Sequence, residues 1–160
     1  MDEKDKRVNI ETLQSLQRDI NFLSQVKENN PSLEKIIDTL RNSQTRLYEA
    51  LAQHGVTAQE VHKIITENSD KQLINEIMKL QGIKNRIDKQ LTNPALSPEK
   101  HQSLELTLTR TTQAHADKWQ ELINSPRRAD LLRKIEQAQA KQLERQNRTH
   151  DRSPDHNRTR

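Results

Sequence analysis

The residues of this sequence that could do chemistry are six histidines and several closely spaced carboxylates. A histidine can act as a general base or bind a metal, and a helical pair such as Glu34 and Asp38 could act as an acid–base or metal pair. No glutamate has a histidine three residues later, the pattern of helical di-metal centres. We therefore expect the histidines to be packed or exposed to solvent. His54 and His115 lie on apolar stripes, His62 and His101 lie near helix starts, and His150 and His156 lie in the C-terminal stretch.

Other enzymatic motifs are also missing from the sequence. There is no cysteine, so thiolate nucleophiles and cysteine-ligated zinc are excluded. Only two glycines are present, and no glycine-rich phosphate loop, HExxH or GxSxG pattern occurs. The sequence predicts a non-enzymatic protein with no catalytic residues, no cofactor and no metal.

Positive charge is concentrated at the C-terminal end. Residues 125–160 hold ten Lys and Arg against five Asp and Glu, whereas the rest of the chain is nearly neutral. A basic helix face of this kind can bind phosphates through salt-sensitive contacts, although a solvated face explains it equally well. The candidate phosphate or nucleic-acid contacts are Arg127, Arg128, Arg133, Lys134, Lys141, Arg145, Arg148, Arg152, Arg158 and Arg160.

Composition indicates how these residues are positioned. Hydrophobic residues make up 30% of the chain and aromatic residues 2%, too little for sheets with broad buried faces. A narrow apolar seam on a helix needs only about two residues in seven. The composition therefore favours an all-α protein.

Apolar spacing predicts the first two helices. A seam from Ile10 to Val26 predicts a helix over residues 8–28, which ends before Pro31. The next seam has a 3.5-residue period, contains the polar Gln44, and is followed by Gly55, a typical helix terminator. Its helix-packing members are Leu33, Ile37, Leu40, Leu47 and Leu51.

The second half begins with a capping box formed by Thr57 and Glu60. The seam over residues 57–91 slips by one residue near Ser69. This slip favours a break or kink, the alternative being one long helix that passes its seam to a different neighbour. Ser97-Pro98 and Ser125-Pro126 are helix-start signals.

These patterns predict an elongated antiparallel helical bundle with coiled-coil-like packing, five or six helices and a disordered C-terminal tail. We assign residues 1–7 to a charged N-terminal extension, 8–124 to the bundle, 125–144 to a basic helix and 145–160 to the disordered basic tail. The tail assignment follows from the loss of apolar residues after position 144.

The leading functional hypothesis is a scaffold or adaptor that acts through helix–helix protein interactions or self-association. One alternative is a nucleic-acid accessory protein that binds phosphates non-specifically through the basic C-terminal region. A third arises because residues 145–160 resemble in composition the tails of some bacterial type IV secretion substrates, which implies a secreted effector with a C-terminal export signal. The charged start and the lack of a long apolar run predict a cytoplasmic protein without a transmembrane segment.

Overall fold

The computed structural model describes residues 1–152 and shows only helices and short connections in this part of the chain. A short 3-10 turn, Lys27–Asn29, follows the first helix. The five α-helices are α1 (Glu3–Val26), α2 (Leu33–Gln53), α3 (Ala58–Leu91), α4 (Pro98–Ile123) and α5 (Arg128–Arg152). The predicted all-α class is confirmed, and the described residues form five α-helices where five or six were expected.

The first helix begins earlier than its apolar seam suggests. Asp2 has an extended backbone, and its carboxylate accepts a hydrogen bond from the Asp5 amide at 2.8 Å. This side chain satisfies one of the free amides of the first turn, where the acidic Glu3 and Asp5 also suit the helix dipole. Most of the predicted charged extension, residues 1–7, is therefore part of α1.

The connection between α2 and α3 forms only part of the predicted capping box. The Thr57 hydroxyl accepts a hydrogen bond from the Glu60 amide at 3.2 Å, as expected. The Glu60 carboxylate accepts a hydrogen bond from Lys6 Nζ on α1 at 2.9 Å. A cation 54 residues away in the sequence thus binds the carboxylate that local reasoning assigns to the cap.

The two glycines of the chain provide a matched test of backbone conformation. Gly55 has φ of +79°, in the left-handed region, whereas Gly82 lies inside α3, where an added Cβ would meet no neighbouring side chain. We expect Gly55→Ala to lower the free energy of unfolding by about 1–2 kcal/mol and Gly82→Ala to raise it by about 0.5–1 kcal/mol. Urea denaturation followed by circular dichroism measures both, and equal shifts of the two variants would contradict the assignment.

The chain divides into two compact units, Met1–Ser69 and Asp70–Arg160. The first unit packs α1, α2 and the start of α3 around the buried residues Ile10, Leu13, Leu51, Val56 and Val61. The second unit packs the rest of α3 with α4 and α5 around Leu73, Ile74, Ile77, Leu122, Leu131 and Ile135, with Met78 and Trp119 against them. The sequence places a division at 124/125 instead, but Leu131 and Ile135 of the basic helix belong to the second cluster.

The third helix is continuous, and the expected break near Ser69 is wrong. The slipped seam has another cause, because α3 supplies side chains to two clusters. Val61 is buried in the cluster of the first unit, and Ile77 in that of the second. The alternative of one long helix that passes its seam to a different neighbour describes α3 correctly.

The fifth helix extends past the predicted boundary at residue 144. Residues 145–152, predicted as disordered, continue α5 to Arg152. Adding residues to an existing helix avoids the cost of nucleation, and Arg and Gln have good helix propensity without burial. Residues 153–160, the remainder of the predicted tail, lie outside the described residues.

Candidate functional site

The five seam residues predicted for helix packing lie on α2 within the first unit. Ile37 and Leu51 are buried, and Leu33, Leu40 and Leu47 are half-buried. Leu47 and Leu51 belong to the cluster of this unit, so they serve its internal packing.

The polar member of this seam joins two helices. Gln44 Nε2 donates a hydrogen bond to Gln17 Oε1 on α1 at 2.9 Å, and Gln17 Nε2 donates to Asn21 Oδ1 at 2.8 Å. This hydrogen bond between the two helices forms only at one alignment of α1 against α2. The polar member of the α2 seam is therefore hydrogen-bonded to α1.

A second line of side chains on α1, which we name the outer stripe, is exposed. It follows steps of four and three residues, roughly a third of a turn from the buried seam. Phe22, the chain's only phenylalanine, is 65% exposed, and the apolar Val8 and Val26 are also exposed. The stripe consists of Val8, Thr12, Ser15, Asp19, Phe22 and Val26.

Sequence reasoning misses the outer stripe because three polar residues separate its apolar members and because it counts the exposed Val26 in the buried seam. The stronger signal of Ile20 and Leu23 assigns the buried face, and Phe22 then reads as an incidental neighbour. A phenylalanine outside the seam is the one signal that could have indicated a second face.

Three of the predicted phosphate contacts are engaged within the second unit. Arg127 precedes α5 and binds the buried Asp70 through two hydrogen bonds, Nε to Oδ2 at 2.7 Å and Nη2 to Oδ1 at 2.8 Å. The Asp70 carboxylate raises the pKa of Arg127 above its ordinary value. Lys134 and Arg133 bind Asp130 and lower the pKa of that carboxyl.

The second half of α5 carries three further predicted contacts that are exposed. Every residue from Gln139 to Thr149 is exposed, because the apolar seam of α5 ends after Ala138. Lys141, Arg145 and Arg148 lie on this segment, and helical spacing places them within an arc of roughly 60°. We name these three residues the basic stripe.

Of the remaining predicted contacts, Arg128 lies outside this stripe. Arg128 is exposed at the first residue of α5. Arg152 ends α5, and Arg158 and Arg160 lie outside the described residues.

The histidines whose side chains the structure describes are dispersed over its helices, and His156 lies outside the described residues. His54, His62 and His101 are exposed, and His101 Nδ1 lies 3.5 Å from Glu105 on the same helix. Within residues 1–152, no group of three or more His, Asp or Glu side chains is arranged to hold a metal ion. None of the helices in this part of the chain is long and apolar enough to cross a membrane.

His115 is half-buried on α4, where its Nε2 accepts a hydrogen bond from Trp119 Nε1 at 3.1 Å. Burial, followed by the nearby charge of Lys84, lowers the pKa of His115 below its ordinary value of 6.5. The unfolded chain therefore binds this proton more readily than the folded chain. The free energy of unfolding should fall as the pH drops through 6.5 towards the lower folded pKa.

We expect His115→Gln to reduce this acid-dependent loss of stability. Urea denaturation at a series of pH values, followed by the fluorescence of Trp119, measures the effect. The matched control is His101→Gln, which replaces an exposed histidine of the same helix. A pH profile that is unchanged in the His115 variant would contradict the role given to this residue.

Comparison with known proteins adds no relative: no protein-family model, no curated protein and no solved structure matches the chain.

Proposed function

We propose that the protein is a non-enzymatic helical scaffold that binds another helix, from a partner protein or a second copy, through the outer stripe of α1. The observation that carries the proposal is the exposure of Phe22 on a line with a 3.5-residue period. Burying one large apolar side chain contributes about 1.5–3 kcal/mol to association. We place this activity in the cytoplasm.

The spacing of the stripe supports a helix as the partner. Side chains that repeat every 3.5 residues stay on one face over several turns, which is the requirement for packing against a second long helix. Val8 and the pair Phe22 and Val26 supply apolar contacts at the two ends. Ser15 and Asp19 between them make the contact depend on alignment, since a polar residue at such a position disfavours other registers.

Sedimentation velocity over a range of protein concentrations, with and without cell extract, tests the proposal. We expect the parent chain to form a larger species and Phe22→Gln/Val26→Gln to lose it, because both apolar contacts at one end are removed. The matched control is Leu106→Gln, which replaces another exposed apolar residue on α4. Identical behaviour of the parent and the Phe22 variant, or an equal loss in the Leu106 control, would refute the proposal.

A further inference from the structure

We propose that the second half of α5 binds the phosphate backbone of duplex nucleic acid through the basic stripe of Lys141, Arg145 and Arg148. This function goes beyond helix binding by α1 and uses a different part of the chain. It rests on the exposed helix from Gln139 to Thr149 and on the placement of its three cations.

The exposure of this segment is unusual for a helix. An isolated helix of this length is marginal in water, and the described residues offer it no packing partner, since all its side chains are exposed. Binding along one face would stabilise it. The segment is long enough and open enough to lie in a groove of a ligand or along its phosphate backbone.

The charge of the segment favours an anionic partner. Three basic residues and one acidic residue, Glu144, occur between Gln139 and Thr149. The basic stripe is about 10 Å long along the helix axis. Other cations of this region are already engaged, since Arg127 binds Asp70 and Lys134 binds Asp130.

The residue types favour phosphates over a lipid surface. The guanidinium groups of Arg145 and Arg148 match the geometry of phosphate oxygens. A helix that inserts into a membrane surface needs a bulky apolar face. Leu143 is the one large apolar side chain of the segment.

The segment also favours duplex nucleic acid and binding without sequence preference. Proteins that hold single strands stack bases on aromatic side chains, and the sequence from Gln139 to Thr149 contains no aromatic residue. A stripe that contacts phosphates alone carries no base-reading information.

The test is fluorescence anisotropy of the full chain with two labelled DNA duplexes of unrelated sequence, over about 50–200 mM salt. We expect both duplexes to bind with similar affinity. Lys141→Gln/Arg145→Gln/Arg148→Gln should weaken binding and reduce the slope of log affinity against log salt by about three.

Two control variants distinguish the effect of the basic stripe from that of net charge. Lys35→Gln/Arg41→Gln/Arg46→Gln removes one Lys and two Arg from exposed positions of α2 and should bind like the parent. Arg145→Lys/Arg148→Lys keeps the charge and should retain the salt slope. Circular dichroism checks that all variants keep the helical content of the parent.

Four results would overturn the proposal. They are absence of DNA binding by the parent at low salt, unchanged binding by the stripe variant, an equal loss in the α2 control, and tighter binding of the parent to phosphatidylserine vesicles or polyglutamate than to DNA.

Discussion

We expect Arg127→Gln to lower the free energy of unfolding of the second unit by about 1.5–3 kcal/mol. The Asp70 side chain is 6% exposed and receives two hydrogen bonds from Arg127, so removing the guanidinium leaves a buried carboxylate without its cation. The Arg127 side chain is 43% exposed, and water screens that end of the pair, which keeps the expected loss below that of a fully buried pair.

The different exposure of the two partners also predicts that the two single substitutions differ in their cost to the free energy of unfolding. Asp70→Asn should cost less than Arg127→Gln, because the freed guanidinium can turn to water whereas the carboxylate cannot. The double variant should lose less than the sum of the single losses, since the two residues form one interaction. Urea denaturation followed by Trp119, the chain's only tryptophan, measures all three variants. Equal and additive losses would show that the pair does not act as described.

The second large effect concerns two adjacent leucines on α5. Leu131 is fully buried in the cluster of the second unit, and Leu132 is 37% exposed. We expect Leu131→Ala to lower the free energy of unfolding by about 3–5 kcal/mol, the cost of lost burial and a residual cavity. Leu132→Ala should cost less than about 1 kcal/mol because that side chain remains partly in water.

The comparison of these neighbours controls for helix propensity, since both substitutions place alanine in the same turn. The same Trp119 signal reports both variants, because Trp119 packs against the cluster that contains Leu131. Similar losses for the two would contradict the side of α5 that the structure assigns to the interior.

Helix positions follow from the sequence because they depend on local patterns. The seam from Leu33 to Leu51 predicts α2, Gly55 marks its end, and Ser97-Pro98 predicts the start of α4. In that last case the Ser97 hydroxyl accepts a hydrogen bond from the Lys100 amide at 3.2 Å. Because such caps join residues three apart in the chain, the local sequence is enough to predict them.

Contacts between distant residues could not be predicted in the same way. Asp70 lies at the slip of the α3 seam, and its carboxylate binds Arg127, 57 residues away. Glu60 is similar, since its carboxylate binds Lys6. The sequence shows that these acids exist but not which cation reaches them.

The basic stripe and the outer stripe also depend partly on the sequence and partly on contacts that only the structure shows. The cations of the basic stripe are evident in the sequence, whereas their separation from Arg127, Arg133 and Lys134 depends on ion pairs that only the structure shows. The outer stripe of α1 becomes visible once Ile10, Leu13 and Ile20 are seen to be buried and Phe22 is seen to be exposed.

Site-specific photo-crosslinking tests helix binding by the outer stripe most directly. A benzophenone side chain replaces Phe22 in the full chain, and a control carries the same group in place of the exposed Leu106. We predict that illumination links position 22 to a helix of a partner protein or a second copy, identified by mass spectrometry, with little product from the control. Absence of a crosslink at position 22, or equal yields at both positions, would contradict the proposed scaffold function.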